Sequence, residues 1–302
     1  MHREFYLHPP YLWFGGFERK IEETPFALIG VPLEATVTYR PGTKFAPLKI
    51  REVSREMETY SLRACVDFEE FGIYDGGDLT LPSTDLKENL KALELVVSEF
   101  INEDKRVVVL GGEHTLTLGC LRALAGEPTL VVSFDAHMDL RDEYPPKVKL
   151  SHATVMRRIS ELDNVKLIEV GVRAFSKEEL EYVKQGKVKV FYLLEGLPEV
   201  RAAIDEVRRA ANEVEHVYIS IDMDVLDPSI APGVGSPEPG GLGLRELLYA
   251  LSKLVDERTR VIDIVEVSPP YDHSDLTSLA AARIVYEVTS LLWRSLKEAK
   301  LI

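Results

Sequence analysis

The sequence predicts an α/β fold of three layers, in which helices cover both faces of a mainly parallel sheet. Short runs rich in Val, Ile and Leu alternate along the 302 residues with longer segments of helical periodicity. Most residues of the short runs are apolar, which is the pattern of strands buried on both faces of a sheet. Because 45% of the residues are hydrophobic, the chain can bury a large core.

Each predicted element follows from its local pattern. The strands are predicted at Phe26–Val31, Arg106–Leu110, Leu130–Phe134, Val165–Gly171, Val188–Leu193, His216–Ile221 and Arg260–Val265. The helices are predicted at Asp85–Asn102, Ser176–Val183, Pro198–Asn212, Leu244–Asp256 and Asp275–Lys297. Ser176 and Glu179, three residues apart, form a capping-box pattern at the start of the second helix.

Composition limits the classes of partner and compartment. The 36 Lys and Arg residues are outnumbered by 50 Asp and Glu residues, so the net charge of -14 argues against nucleic acid or anionic membrane partners. A small cationic molecule suits this charge better. The sequence offers no bilayer-length apolar run and no signal-peptide pattern, so we expect a cytoplasmic protein. Cys65 and Cys120 are expected to be free thiols.

Three further features bear on organisation and habitat. No internal repeat or low-complexity linker divides the chain, and its length fits one domain or two merged halves. The Gly- and Pro-rich stretch Asp227–Gly243 is too long for a simple turn and is a candidate pocket wall. Only four Asn and one Gln accompany many charged residues, which is typical of thermophile proteins.

Metal-ligating and acidic residues follow four of the predicted strands. Ligands in an open parallel sheet bind beyond the carboxyl ends of the strands, and these ends meet at one edge. We therefore expect the residues there to converge on one crevice. In chain order they are His114, then Asp135, His137 and Asp139, then Asp222, Asp224 and Asp227, and finally Glu266.

The residue types in this set favour a site for two metal ions. Alternate residues of an extended segment face the same way, so Asp135, His137 and Asp139 can converge, as can Asp222 and Asp224. With the imidazole of His114 added, four carboxylates and two imidazoles exceed the needs of one ion with open positions, whereas two divalent ions about 3.5–4 Å apart account for them. The oxygen-rich set favours Mn²⁺. A single Asp at a strand end is also typical of a turn, as Asp227 before a proline is.

These motifs also carry a family resemblance. The stretches "GGEHT", "SFDAHMD", "SIDMDVLDPSIAPGVGSPEPGGL" and "DIVEVSPPYDHSDLTSLAAARI", with "IGVPLEATVTYRPGTKFAPLKIREVS" near the N-terminus, resemble the ureohydrolase family of arginases and agmatinases, especially its agmatinase branch. The resemblance runs over nearly the whole chain. It implies one domain of residues 1–302, with an arginase-like eight-stranded, mostly parallel sheet and two Mn²⁺ ions. One ion would be held by His114, Asp135, Asp139 and Asp222, and the other by Asp135, His137, Asp222 and Asp224.

The same resemblance implies a reaction and roles for three residues. The expected reaction is hydrolysis of the guanidinium group of agmatine to putrescine and urea. Asp139 would pass a proton to the leaving amine, and Glu266 would hold the guanidinium group with both oxygens. His152, in "LSHATVMRR", matches a loop histidine that shuttles protons or contacts substrate. The alternatives are a structural salt bridge for Glu266 and a helix-start position for His152.

Several alternatives to agmatine hydrolysis remain open at this level. Arginine-specific relatives have Asn where this chain has Arg141, which argues against arginine. N1-aminopropylagmatine, a longer cation that yields spermidine, is the main alternative substrate. An inactive metal- or ligand-binding homologue is the non-enzymatic alternative. A two-metal phosphoesterase is less favoured, because the predicted crevice is acidic. Relatives form trimers or hexamers, so we expect a homotrimer or a homohexamer.

Overall fold

The computed structural model describes residues 2–124 and 126–302. Within these ranges, the strands in chain order are β1 (Leu7–His8), β2 (Phe26–Val31), β3 (Tyr60–Ser61), β4 (Val66–Asp67), β5 (Tyr74–Leu79), β6 (Arg106–Gly111), β7 (Thr129–Phe134), β8 (Val165–Val172), β9 (Val188–Tyr192), β10 (His216–Asp222) and β11 (Thr259–Val265). The helices are α1 (His2–Tyr6), α2 (Ala46–Ser54), α3 (Phe68–Phe71), α4 (Leu86–Asn102), α5 (Leu116–Arg122), α6 (Val155–Ser160), α7 (Lys177–Val183), α8 (Leu197–Ala211), α9 (Leu244–Leu254) and α10 (Leu276–Glu298).

A single large sheet organises the molecule. Its order is β1-β5-β2-β6-β11-β10-β7-β8-β9. The eight strands from β5 to β9 in this order are all parallel, and the two-residue β1 pairs antiparallel with β5 at the edge. The predicted mostly parallel α/β sheet is confirmed, with one short strand beyond the expected eight.

Helices cover both faces of this sheet and form the three predicted layers. Two apolar clusters of buried side chains lie on its opposite faces. Side chains of α2, α3, α8, α9 and α10 contribute to one cluster, and side chains of α4, α5, α6 and α7 contribute to the other. Both faces of the central strands are covered by helices, which is why these strands are mainly apolar in sequence.

The predicted element boundaries agree closely with the structure. All seven predicted strands are present with ends within one residue, and the five predicted helices have ends within two residues. The Asp85 and Ser176 side chains cap their helices, accepting hydrogen bonds from the backbone N–H groups of Lys87 and Glu179, so each lies one residue before its helix. Cys65 and Cys120 are free thiols, as predicted.

Strand β5 was not predicted, because its sequence "YDGGDL" contains two glycines and two aspartates. The negative charges of its two aspartates are compensated by Arg51 of helix α2, a helix that was also not predicted. The Arg51 guanidinium is fully buried and makes two hydrogen bonds of 2.8 and 2.9 Å to Asp75, and a further one of 2.6 Å to Asp78. A paired buried charge of this kind depends on two segments meeting in space, so local sequence patterns do not predict it.

The fold places the predicted site at the centre of the sheet. Strands β6, β11, β10 and β7 are neighbours in that order, and they are the four strands whose carboxyl ends carry the predicted site residues. Parallel pairing puts these ends side by side at one edge of the sheet. Among the described residues, no helix has the length and apolar composition needed to cross a membrane.

Candidate metal centre and active site

A cavity of about 250 Å³ opens above the central strand ends. All nine predicted site residues except Asp227 lie in it, beneath it or in contact with those that do. The predicted residues that line it are His137, Asp139, His152, Asp222, Asp224 and Glu266. His114 and Asp135 lie beneath it, with 0% and 1% of their surface exposed.

One group of ligand atoms surrounds the imidazole of His114. Its Nδ1 lies 3.1 Å from Asp139 Oδ2, 3.2 Å from Asp135 Oδ2 and 3.5 Å from Asp222 Oδ2. Ligand atoms of His114, Asp135 and Asp222 all lie within 4.8 Å of one another. This spacing is compatible with one metal ion between them.

A second group surrounds the imidazole of His137. Its Nδ1 lies 2.9 Å from Asp224 Oδ2 and 3.6 Å from Asp135 Oδ1. Ligand atoms of Asp135, His137 and Asp224 again lie within 4.8 Å of one another. Both groups contain Asp135, so they share one carboxylate.

The unpartnered atoms of the cluster fit a metal centre. In the part of the chain that the structure describes, His114 Nδ1 and Asp135 Oδ2 are buried without a hydrogen-bond partner, although they are only 3.2 Å apart. A buried imidazole nitrogen and a carboxylate oxygen that face each other are costly unless a proton or a metal ion lies between them. The donor set of imidazole and carboxylate groups suits divalent first-row metal ions.

A hydrogen-bond chain behind His114 sets which nitrogen is available. Asp263 accepts from the hydroxyl groups of Ser220 at 2.6 Å and Thr117 at 2.7 Å, and also from Tyr218. The only hydroxyl proton of Ser220 is therefore used on Asp263, and Ser220 Oγ must accept from His114 Nε2, 3.0 Å away. Nδ1 is left unprotonated in the neutral imidazole and faces the carboxylates.

We expect Ser220→Ala to weaken metal binding by about 10- to 100-fold, because His114 then loses the acceptor that orients its ring. The measurement is a metal titration followed by calorimetry. Thr289→Ala is the control, since it removes a buried hydroxyl from α10, where the hydroxyl bonds only to backbone carbonyls of its own helix. Equal metal affinity in both variants would contradict the role of Ser220.

The titratable side chains of the ion-free cluster lie close together and therefore shift one another's pKa values. Burial opposes charge on both histidines, but Asp135 and Asp139 raise the pKa of His114 well above its usual value. Likewise Asp224 and Asp135 raise the pKa of His137 to about 12. Burial and the nearby charge of Asp135 raise the pKa of Asp139 to about 7. At neutral pH the ion-free cluster therefore holds several protons that metal binding must displace.

Metal binding at neutral pH is accordingly expected to release protons, and affinity should fall as pH is lowered. Protons are released because the pKa values of both histidines are raised. Both histidines are therefore protonated in the ion-free site, and each must lose a proton to coordinate an ion. Calorimetric titration in two buffers with different ionisation enthalpies measures the number of protons released. The same heat in both buffers would contradict the expectation.

Glu266 lies at the end of β11 with its carboxyl group on the cavity wall. One oxygen, Oε1, accepts the backbone N–H of His114 at 2.7 Å. Burial, with the charges of Glu113 and Asp224, raises the pKa of Glu266 to about 8. Among the described residues, no basic side chain forms an ion pair with Glu266, so the alternative of a structural salt bridge is not supported.

His152 begins a single turn of 3-10 helix, His152–Thr154, which leads into α6. Ser151 and Thr154 cap this turn, with a hydrogen bond of 2.8 Å from Ser151 N to Thr154 Oγ1. The imidazole nevertheless lines the cavity, so His152 both begins the helical turn and faces the cavity. Burial lowers the pKa of His152.

The long loop predicted to form a pocket wall does so through Ser236, which lines the cavity. Asp227 does not face the cavity residues. Its carboxylate accepts from the backbone N–H groups of Ser229, Gly240 and Gly241. A hydrogen bond from the Ser229 side chain, together with these backbone bonds, lowers the pKa of Asp227 to about 2. The turn interpretation of Asp227 is therefore the correct one.

The cavity rim contains residues that were not predicted to be site residues. Arg141 lies 3.7 Å from Glu179 and stacks on the ring of Tyr144 at 4.8 Å. Both residues and Arg141 itself line the cavity, together with Phe175. Arg141, Tyr144 and Phe175 lie in the loops after β7 and β8, and Glu179 lies in α7, so strand-end patterns do not reveal them. Asp263 had a detectable signal, because a charged residue inside the apolar run "VIDIV" needs buried partners.

Comparisons with known proteins agree with one another. A family model described as the arginase family matches residues 24–290. An agmatinase of Bacillus cereus is 38% identical over 276 residues, which cover 88% of this chain and 91% of the relative. An N(1)-aminopropylagmatine ureohydrolase of Thermococcus kodakarensis is 35% identical over 268 residues, covering 88% and 90%. The crystal structure of an agmatine ureohydrolase of Thermoplasma volcanium has a TM-score of 0.82 at 33% identity and covers 93% of this chain and 94% of that one.

Proposed function

This chain belongs to the arginase family, and on that premise we propose that it is a hydrolase that converts agmatine to putrescine and urea. The main structural support is the position of the Glu266 carboxylate, which lies on the same cavity as two metal-compatible groups that share Asp135. Agmatinases of several bacteria are 34–38% identical to this chain over most of its length, which favours agmatine.

Two Mn²⁺ ions are proposed for the cluster. His114, Asp135, Asp139 and Asp222 would hold one ion, and Asp135, His137, Asp222 and Asp224 would hold the other. The compact groups of ligand atoms, each a subset of one of these sets, support the assignment. Ions bound there would supply a hydroxide nucleophile at neutral pH and Lewis acidity at the guanidinium carbon.

Glu266 is proposed to position the guanidinium group. The planar guanidinium presents parallel N–H donors that match the two oxygens of a carboxylate. The Glu266 backbone is held by a hydrogen bond of 2.9 Å from its N–H to the Gly112 carbonyl. A carboxylate fixed in this way orients the guanidinium carbon toward the cluster and holds the substrate for attack.

Proton transfer is proposed for Asp139 and His152. Asp139 contacts His114 and lines the cavity, so its carboxylate is close to the place where a proton leaves the nucleophile. It can carry that proton to the departing amine nitrogen. His152 lines the same cavity and suits proton exchange near neutral pH or contact with the substrate.

The direct test is urea release from agmatine, N1-aminopropylagmatine, arginine and guanidinobutyrate. Each is measured with chelated protein and again after Mn²⁺ is added back. We expect urea only with the metal, and the highest kcat/KM with agmatine. Absence of urea from all four compounds would instead support the non-enzymatic alternative of an inactive metal- or ligand-binding homologue.

N1-aminopropylagmatine is the second candidate substrate. The specific observation in its favour is the 35% identity to the ureohydrolase of Thermococcus kodakarensis that is named for this compound. The rim combines one basic residue, Arg141, with the acidic Glu179, and so does not exclude an additional ammonium group by charge. The ratio of kcat/KM for the two cations decides between them.

We further propose a single ureohydrolase domain over residues 1–302, a homotrimeric or homohexameric assembly, and a cytoplasmic, thermophilic setting. The two free cysteines are consistent with a reducing compartment. One cooperative unfolding transition would support the single domain, and light scattering coupled to gel filtration gives the number of subunits. A Tm well above the mesophile range of about 45–65 °C would support the thermophilic setting.

A further inference from the structure

We propose that Glu113 and Thr36 are positioning residues for His152, fixing its imidazole so that Nε2 is the nitrogen that exchanges protons in the cavity. The inference deepens the proposed function, on which the catalytic role of His152 rests. It concerns three segments that are far apart in the sequence: the loop after β2, the end of β6 and the turn before α6. None of the site residues predicted from sequence explains why these segments meet.

Glu113 is a fully buried carboxyl group with four hydrogen-bond donors around it. Its Oε2 accepts the backbone N–H groups of Ala35 and Thr36, each at 2.7 Å. Its Oε1 accepts the hydroxyl groups of Thr36 and Thr115, each at 2.8 Å. Two donors on each oxygen fill the acceptor positions of an ionised carboxylate. Glu113 therefore holds the loop after β2 against the end of β6.

The hydroxyl group of Thr36 connects this carboxylate to His152. A hydroxyl has one proton to donate and two lone pairs that accept. Its proton is used on Glu113. The lone pairs face two nitrogens of His152: the backbone N at 3.0 Å and the ring Nδ1 at 3.1 Å. Because Thr36 has no second proton to give, Nδ1 must carry the proton of the neutral imidazole.

This proton count leaves Nε2 as the unprotonated nitrogen of His152. Nε2 lies 3.5 Å from the hydroxyl of Thr38, which also lines the cavity. The ring of Tyr144 meets the imidazole edge-on at a centroid distance of 6.3 Å. As in a catalytic triad, an acidic residue orients the histidine through the ring nitrogen that does not exchange protons. Here the hydroxyl group of Thr36 lies between Glu113 and that nitrogen, Nδ1.

A measurement of the tautomer tests the inference without any substrate. The ¹⁵N chemical shifts of the His152 ring are recorded in the metal-free protein, and His152→Ala identifies the signals. We expect a protonated Nδ1 and an unprotonated Nε2 in the neutral ring. Thr36→Val should mix or reverse the two tautomers. A protonated Nε2 in the unmodified protein would overturn the proposal.

A double-mutant cycle tests the effect on turnover. We expect Thr36→Val to lower kcat by about 10-fold with little change in KM, whereas Thr36→Ser keeps the hydroxyl and recovers most of the activity. In a His152→Ala background, Thr36→Val should have no further effect beyond about twofold. The same loss in both backgrounds would show that Thr36 acts independently of His152 and would overturn the proposal.

Thr115→Val is the matched control, because Thr115 bonds to the same oxygen of Glu113 but makes no hydrogen bond to His152. Its loss of kcat should be smaller than that of Thr36→Val, and its tautomer signals should be unchanged. Urea release and the ring shifts of His152 distinguish failure of the proposed function from failure of the positioning role. An unmodified protein that releases no urea contradicts the proposed function, while the ring shifts still decide the tautomer.

Discussion

Asp139→Asn is expected to lower kcat by about 10²- to 10⁴-fold, the range that general acid–base catalysis contributes. The amide cannot accept the proton of the nucleophile and pass it to the leaving amine. The substitution should keep the backbone intact, since Asp139 has a φ of 51°, in the left-handed region that Asn tolerates well. Steady-state kinetics at saturating Mn²⁺ measures the loss.

Asp139 is also a proposed metal ligand, so metal content must be measured in the same samples. Elemental analysis of Asp139→Asn at saturating Mn²⁺ should still find close to two ions per chain, because His114, Asp135 and Asp222 remain for the first ion. Turnover within about fivefold of the unmodified protein would contradict the proton-transfer role. Full loss of one ion would assign Asp139 to metal binding instead.

Glu266→Gln is expected to lower kcat/KM for agmatine by roughly 30- to 4,000-fold. Removal of one partner of a buried charge-assisted pair costs about 2–5 kcal/mol, and every 1.4 kcal/mol is tenfold. The amide keeps the shape of the side chain and an oxygen that can accept the His114 N–H, so the local backbone should not change. The measurement compares kcat/KM with the affinity for Mn²⁺, which should change much less.

Glu169→Gln is the matched control for this substitution. Glu169 is a fully buried carboxyl group in β8, lines no part of the cavity, and has no hydrogen-bond partner among the described residues. Burial raises the pKa of Glu169 well above its usual value, which favours the neutral carboxyl group that Gln resembles in size and shape. Equal losses in both variants would mean that Glu266 has no specific contact with the guanidinium group.

Much of the fold could be predicted because apolar strands and periodic helices carry local signals. Strand β6, for example, contains the unbroken apolar run Val107–Leu110, and α7 begins at a capping box that both the sequence and the structure contain. Strand β5 and helix α2 were not predicted, because the polar residues of β5 are compensated by Arg51, which lies in a different element. Helix α5, "LTLGCLR", is short and contains a glycine, so burial stabilises it more than its own propensity does.

The floor of the site could also be predicted, because the carboxyl ends of neighbouring parallel strands meet at one edge of the sheet. Asp135, His137 and Asp139 do lie together, but not on an extended segment, since β7 ends at Phe134 and Asp139 has a left-handed φ of 51°. Likewise Asp224 lies in the 3-10 turn Met223–Val225 that follows β10. Asp227 is also an aspartate that follows a central strand, yet its carboxylate holds the loop by accepting hydrogen bonds from backbone N–H groups. A short-range pattern cannot separate these two uses of a carboxylate, since the difference depends on which groups the loop brings back to it.

The sequence by itself determined the α/β class and the positions of the central strands and helices along the chain. It also determined the residues at the cavity floor and the acidic character of the site. Those features arise from residue spacing within single strands and from the geometry that all parallel sheets share. Only the tertiary structure decided the partners: Asp263 behind His114, Arg141 beside Glu179, and Glu113 with Thr36 behind His152. The hydrogen bonds Ser220–Asp263, Thr36–Glu113 and Thr36–His152 join residues that are 43, 77 and 116 positions apart, so the donors and acceptors meet only in the folded chain.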